Sequence, residues 1–307
     1  MSLRMKALNA TLRLTLKPIL AVFPINHTTL FYPRQIIDKL SLIIPNDHNS
    51  SIMEFMINEI PCEFVQNRYY SEDNSKCRVI YYLHGGAYIC GSPTTHRAIT
   101  TRLAHWSDAR VFAINYRKGP EHKYPRALQD AITGYKWLLA QGYSPENISL
   151  CGDSAGGGLC VLTSLEIQRL GLPKPACQVL YSPWTNLAAD GESHTGNAFV
   201  DPYLPVCRMG EAANLFTSMD KKDPRISPIY ADLTGMQPTL IHVSDNEIIL
   251  SDSVDFQKKA VKEGVDCSIE IFRNCCHVWQ FFLLFDTPES IDSIEKTVAY
   301  MKQHWRD

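Results

Sequence analysis

Nowhere in this 307-residue chain does an apolar run approach the roughly 18 residues that a membrane-spanning helix needs. Charge of one sign is also missing. The formal net charge is −2, which argues against a nucleic-acid binder with its usual basic face. Ten cysteines are present, yet none stands in a C-x-x-C pair and no framework-like spacing appears. Cys151, Cys160 and Cys177 lie in apolar strand-like surroundings, where a thiol acts as a small hydrophobe. Reduced cysteines of this kind fit a cytoplasmic protein. Cys275-Cys276-His277 is not read as a metal site, because zinc ligands seldom come from three consecutive residues. Internal repeats, low-complexity tracts and flexible linkers are absent as well. Acids are lacking altogether from Met1 to Ile37, a segment that carries Arg4, Lys6, Arg13, Lys17 and Arg34. Its apolar stretches are interrupted by Arg13, Lys17 and Pro18, so no signal-peptide core is expected. An acid-poor amphipathic start can touch anionic lipid, but a helix packed on its own protein is the favoured reading.

What is present is a composition 45% hydrophobic and 20% charged, enough to bury a large core. Residues 1–50 read as proline-interrupted helices forming a cap, and residues 51–307 as one catalytic domain. Two strand-like runs, Ile52 to Ile57 and Cys62 to Gln66, are joined by Asn58-Glu59 and form an edge hairpin. The polar run Ser71 to Lys76 reads as a solvated turn. From Arg78 onward, strands and helices alternate. Strands are expected near Arg78 to Leu83, Val111 to Tyr116, Ile148 to Cys151, Cys177 to Tyr181, Thr239 to Val243 and Cys267 to Phe272. Such alternation specifies an α/β fold, here a mostly parallel eight-stranded sheet with helices on both faces. Only residues 186–225 break the rhythm, and they are read as a second contribution to the cap.

At the centre lies Gly152-Asp153-Ser154-Ala155-Gly156, a G-x-S-x-G turn between a strand and an apolar helical pattern. A serine hydroxyl needs a base within hydrogen-bond reach and a third group to hold that base. Four histidines follow Ser154: His194, His242, His277 and His304. Only His277 falls in a loop directly after the last strand, at the sheet's carboxyl edge, so it is the expected base. The acid should follow the preceding strand, where Asp245 and Glu247 both stand. Glu247 is favoured for its reach, and Asp245 is kept as the alternative. Gly85, Gly86 and Ala155 are candidate oxyanion donors, since side-chain-free turns expose backbone N–H groups. Tyr88, Trp184, Tyr203, Val278 and Trp279 are candidate substrate-binding residues, with core packing an equal alternative for the aromatics.

His84-Gly85-Gly86-Ala87-Tyr88, the run from Tyr116 to Pro125, Gly152 to Gly157, Ser182-Pro183-Trp184, Asp223 to Pro228 and His277-Val278-Trp279 together resemble the hormone-sensitive-lipase-like group of α/β-hydrolases. The resemblance runs from about Ile52 to the C-terminus and implies a serine carboxylesterase acting on short to medium acyl esters or lactones. It assigns Ser154 as nucleophile, His277 as base, and Gly85, Gly86 and Ala155 to the oxyanion hole. Ala87 stands where the family usually has a third glycine. Glu247-Ile248-Ile249-Leu250-Ser251 aligns with the family's D-x-L-x-D, turning the acid into glutamate. The His-Val-Trp ending resembles the branch of bacterial heroin-esterase-like and lactone-hydrolase-like enzymes. The implied partner is a small-molecule ester, with no metal or organic cofactor required. A homodimer is common in the family. Rival readings are a lipase acting at a lipid surface and a non-catalytic receptor-like module; retention of both Ser154 and His277 disfavours the latter.

Overall fold

The structure is a computed structural model that describes residues 1–42, 46–68 and 77–306. The expected turn at Ser71 to Lys76 lies outside the described residues. Eight strands form one sheet in the order β1-β2-β4-β3-β5-β6-β7-β8. They are β1 (Ser50–Ile57), β2 (Ile60–Asn67), β3 (Val79–Leu83), β4 (Arg110–Ile114), β5 (Ile148–Asp153), β6 (Cys177–Tyr181), β7 (Thr239–Ser244) and β8 (Cys267–Phe272). The expected edge hairpin is present. β1 and β2 pair antiparallel from Ser50↔Asn67 to Ile57↔Ile60, turning at Asn58 with φ 53°. β2 also pairs antiparallel with β4, and every other neighbouring pair in the sheet is parallel.

Strand residues divide between the two faces with the period of two that a pleated chain imposes. Tyr81, Leu83, Phe112 and Leu150 join one core cluster, whereas Ile80, Tyr82, Val111 and Cys151 join the other. Helices α5 (Arg126–Ala140) and α6 (Ala155–Arg169) cover the first face. Helices α4 (Arg97–Ser107) and α10 (Pro288–His304) cover the second. Helix α9 (Leu250–Lys262) follows β7 and sends Phe256 and Ala260 into the first cluster.

Three helices precede the sheet: α1 (Leu3–Leu14), α2 (Leu16–Val22) and α3 (Phe31–Ser41). Within the irregular stretch 186–225 lie α7 (Glu192–Gly196) and α8 (Val206–Phe216). α1 is anchored by Met5, Leu8 and Leu12, which pack on Cys275, Cys276 and Trp279. Its charged face is put to use as well. Arg13 donates to the Val200 carbonyl at 2.6 Å, and Lys17 to the carbonyls of Ala198 and Asp201 at 2.8 and 2.6 Å. Arg208 of α8 reciprocates, donating to the Leu20 and Ala21 carbonyls at 3.1 and 2.6 Å. Arg34 of α3 reaches the Ile89 carbonyl at 2.5 Å, the Gly119 carbonyl, and the Glu121 carboxylate at 2.7 Å. The acid-free start is therefore largely a set of donors for backbone carbonyls, which agrees with the packed-helix reading. Among the described residues no helix is long and apolar enough to cross a membrane.

β3, β5 and α6 approach so closely that their junction tolerates no side chain. A Cβ on Gly156 would stand 2.0 Å from the Leu83 carbonyl oxygen and 2.5 Å from that of His84. Both obstacles are backbone atoms and cannot swing aside. Gly156→Ala is expected to destabilise the fold by about 1–3 kcal/mol or more, as overpacking does. A thermal melt equal to wild type would show that the junction is looser than described.

Candidate active site

The end of β5 turns into α6 at Ser154, whose backbone adopts φ 52°, ψ −123°. A non-glycine residue with positive φ is held there only by its surroundings. Three hydrogen bonds supply the restraint. Ser154 N–H donates to the Tyr181 carbonyl at 2.8 Å, while its own carbonyl accepts from Trp184 N–H at 2.9 Å and Gly158 N–H at 3.1 Å. The side chain is left at the floor of a cavity of about 270 Å³ that His277 and Tyr203 also line.

His277 sits in the loop after β8 and is 3% exposed, and Tyr203 lies alongside with ring centroids 6.0 Å apart. Its Nδ1–H donates to Glu247 Oε2 at 2.6 Å. The other oxygen, Oε1, accepts from Ser182 Oγ–H and Ser244 N–H, each at 2.7 Å. All of this fixes one imidazole face and leaves Nε2 free of the carboxylate. Burial pushes the Glu247 carboxyl up from the ordinary glutamate range, and the bonds from His277, Ser182 and Ser244 oppose that push. The alternative acid, Asp245, is turned elsewhere: its Oδ1 accepts from Asn274 N–H at 2.6 Å and pins the loop that carries His277. Asp201 steadies the acid loop from the cap side, accepting from Ile248 N–H at 2.9 Å.

Among the remaining histidines, His242 is a core residue bonded to Ser293 Oγ at 2.8 Å. His194 is buried against Asp252, with 2.9 Å between Nε2 and Oδ1. Cys275 and Cys276 pack beneath the His277 loop as hydrophobes, and burial drives both thiols up and away from the thiolate form.

Gly85 and Gly86, expected together as oxyanion donors, part company in the structure. Gly85 N–H donates to Asp153 Oδ1 at 2.9 Å and is thereby committed within the protein. Gly86 lines the cavity, and so does Ala87, which stands where the family usually has a third glycine. Among the described residues neither the Gly86 nor the Ala87 N–H has a protein acceptor. Gly86 has φ 113° and Ala87 φ 54°, so the chain turns sharply at both. Ala155, as the first residue of α6, carries one of the N–H groups that a helix leaves without an intrahelical partner.

The five expected substrate-binding residues also divide. Tyr203 and Val278 line the cavity. Tyr88, Trp184 and Trp279 lie outside it, packed as core residues, the alternative weighed for the aromatics. Tyr88 stacks on Phe216 at 3.9 Å, Trp184 donates its indole N–H to the Asn186 carbonyl, and Trp279 donates to the Glu289 carbonyl from within the α1 cluster. Each is an interior residue, at most 1% exposed. The walls come instead from cap side chains such as Leu20, Phe23, Leu30 and Met209, and from Phe281 and Phe282 after the His277 loop. The amphipathic pattern of residues 1–50 signalled a buried apolar face but not which surface it would cover.

Comparison with known proteins agrees with this geometry. The family described as having the alpha/beta hydrolase fold matches residues 80–281. An acetyl-hydrolase of Streptomyces hygroscopicus is 36% identical over 226 residues, covering 73% of this chain and 75% of that protein. An esterase of Acinetobacter venetianus is 31% identical over 261 residues, covering 84% of each. Among solved structures, an esterase from the bacterial hormone-sensitive lipase family superposes with a TM-score of 0.90 at 32% identity, covering 99% of both chains. The esterase EstE5, in a crystal soaked with p-nitrophenyl butyrate, gives a TM-score of 0.90 at 31% identity, again over 99% of both chains. The chain belongs to the alpha/beta-hydrolase family, among the hormone-sensitive-lipase-like esterases.

Proposed function

We propose that this carboxylic ester hydrolase works by two-step acyl transfer through Ser154, His277 and Glu247. The observation that carries the reading is the 2.6 Å bond from His277 Nδ1–H to a fully buried Glu247, with His277 and Ser154 lining one cavity. Ser154 Oγ attacks the ester carbonyl carbon while His277 Nε2 takes the hydroxyl proton. Glu247 holds the imidazole in the tautomer that leaves Nε2 basic, and stabilises the imidazolium that forms. Negative charge collects on the former carbonyl oxygen. We assign its donors to the N–H groups of Gly86, Ala87 and Ala155, because Gly85 N–H is already given to Asp153. Collapse of the tetrahedral intermediate breaks the ester C–O bond, and the imidazolium returns its proton to the departing alkoxide. Water then attacks the acyl-enzyme, giving its proton to His277, and the acid leaves as Ser154 recovers its hydrogen.

The cavity walls are overwhelmingly apolar, so the ester favoured is a neutral one of short to medium acyl length. One observation favours a second reading, hydrolysis at a lipid surface: Phe23 and Ile37 line the cavity yet remain 40% and 41% exposed, placing greasy side chains at its rim. Turnover that jumps when a soluble ester is raised past its solubility limit would select that reading.

Against p-nitrophenyl esters, Ser154→Ala is expected to abolish turnover. Glu247→Gln should lower kcat by about 10³–10⁴, the loss seen when the orienting acid of such a triad becomes an amide. Asp245→Asn should lose far less; the reverse order would transfer the acid role to Asp245. For chain length, Met209→Trp should cut kcat/KM for the octanoate by about tenfold relative to the acetate, as a filled hydrophobic pocket does. Trp184→Phe should leave that ratio unchanged. A shift with Trp184→Phe and none with Met209→Trp would place the acyl chain elsewhere.

A further inference from the structure

Asp153, the residue before the nucleophile, has a buried carboxylate that the acyl-transfer steps do not use. It is 3% exposed and makes contacts on three sides. Oδ1 accepts from Tyr82 O–H at 2.7 Å and from Gly85 N–H at 2.9 Å. A Cβ on Gly85 would lie 2.1 Å from Oδ2, so the carboxylate rests flat against the backbone of the loop that continues into Gly86 and Ala87. The third side belongs to His96, whose Nε2 stands 3.4 Å from Oδ2.

His96 ends the short helical turn Thr94–His96 and is 5% exposed. The contacts of its other nitrogen reveal its charge state. Nδ1 lies 3.1 Å from the Ser92 carbonyl and 2.8 Å from Thr95 Oγ1. Thr95 has already given its hydroxyl proton to the Ser92 carbonyl, at 2.7 Å. The Ser92 carbonyl can only accept, so Nδ1 carries a hydrogen. A neutral ring would then point the Nε2 lone pair at a carboxylate. Two protons on the ring resolve the conflict, making His96 an imidazolium paired with Asp153.

We propose that His96 is a positioning residue for ester hydrolysis: its imidazolium pairs with the Asp153 carboxylate and fixes its position, and Asp153 holds Gly85 so that the Gly86 and Ala87 N–H groups stay aimed at the oxyanion beside Ser154. The inference rests on the acyl-transfer reading and on those two donors.

Other groups facing His96 set its titration. Burial works against its charge and Asp153 outweighs burial, so the ring's pKa stands above the ordinary histidine value. Burial likewise works against the Asp153 charge, and His96, Tyr82 and Gly85 together bring that carboxyl below the usual aspartate range. Glu63 of β2 adds a weaker attraction. His84, with its ring centroid 5.5 Å away, is kept neutral by burial. Lys118 is a like charge whose own pKa burial lowers to about 8. Tyr82 stays protonated, and Phe281 closes the remaining side edge-on at 5.4 Å. A raised histidine pKa means the imidazolium is present near neutrality and is lost as pH rises through that value. Activity should accordingly fall on the alkaline side.

The test is the pH dependence of kcat and KM with p-nitrophenyl butyrate for wild type, His96→Gln, Lys118→Gln and Ser154→Ala. A diethyl p-nitrophenyl phosphate titration counts competent serines in each. His96→Gln is expected to titrate fully, keep its KM and lose about tenfold in kcat, a fraction of what deleting an oxyanion donor costs. It should also lose the alkaline fall, which Lys118→Gln should retain. An undiminished kcat with an unchanged alkaline limb in His96→Gln overturns the proposal, as does a wild-type profile without that limb. His96→Asn stands in if the glutamine variant does not fold. Activity surviving in Ser154→Ala would instead sink the acyl-transfer reading, so the two failures are distinguishable.

Discussion

Where β3, β5 and α6 meet under Ser154, the backbones come so close that no side chain fits between them. The glycines there leave no space for side chains: Gly156 presses on the carbonyls of Leu83 and His84, and Gly157 on Pro183. Close packing has a direct chemical consequence. It forces the chain through a positive-φ residue at Ser154, where β5 turns into α6 beside the cavity. The cost of that conformation, of order 1–3 kcal/mol, is borne by the surrounding sheet hydrogen bonds. Rigid placement of a nucleophile is what such a site requires, since reactivity depends on distance and angle.

The same junction explains why so much of the centre was legible in the sequence. Gly152 to Gly156 shows its constraint in residue type, and chain order left His277 as the histidine in the right loop. Glu247 and Asp245 were harder to separate because both follow β7 and differ only in direction. Asp245 turned out to brace the His277 loop through Asn274, a role no spacing rule distinguishes from that of a triad acid. Gly85 and Gly86 are hard to tell apart for a similar reason. Two adjacent glycines look alike on paper, but a buried carboxylate 68 residues later claims the first N–H.

The cavity walls were least legible. Tyr88, Trp184 and Trp279 sit next to catalytic motifs, and adjacency in sequence suggested adjacency to substrate. Yet side chains flanking a sharp turn point in different directions, and these three point into the interior. Leu20, Phe23 and Met209 reach the cavity from helices far away in sequence. Helical periodicity identifies an apolar stripe without naming its partner. The eight-stranded architecture, in contrast, followed from alternating strands and helices, with boundaries shifted by a few residues, as at β4, expected to run to Tyr116 and ending at Ile114.

The cap is fastened in a particular manner. Arg13, Lys17 and Arg208 all donate to main-chain carbonyls, and Arg34 does so at two of its three contacts. A carbonyl oxygen is present whatever side chain its residue bears. Substitutions on the receiving surface can therefore accumulate without unfastening the cap, provided the backbone path is kept. The residues that wall the cavity can thus be exchanged without removing the acceptors that hold the cap.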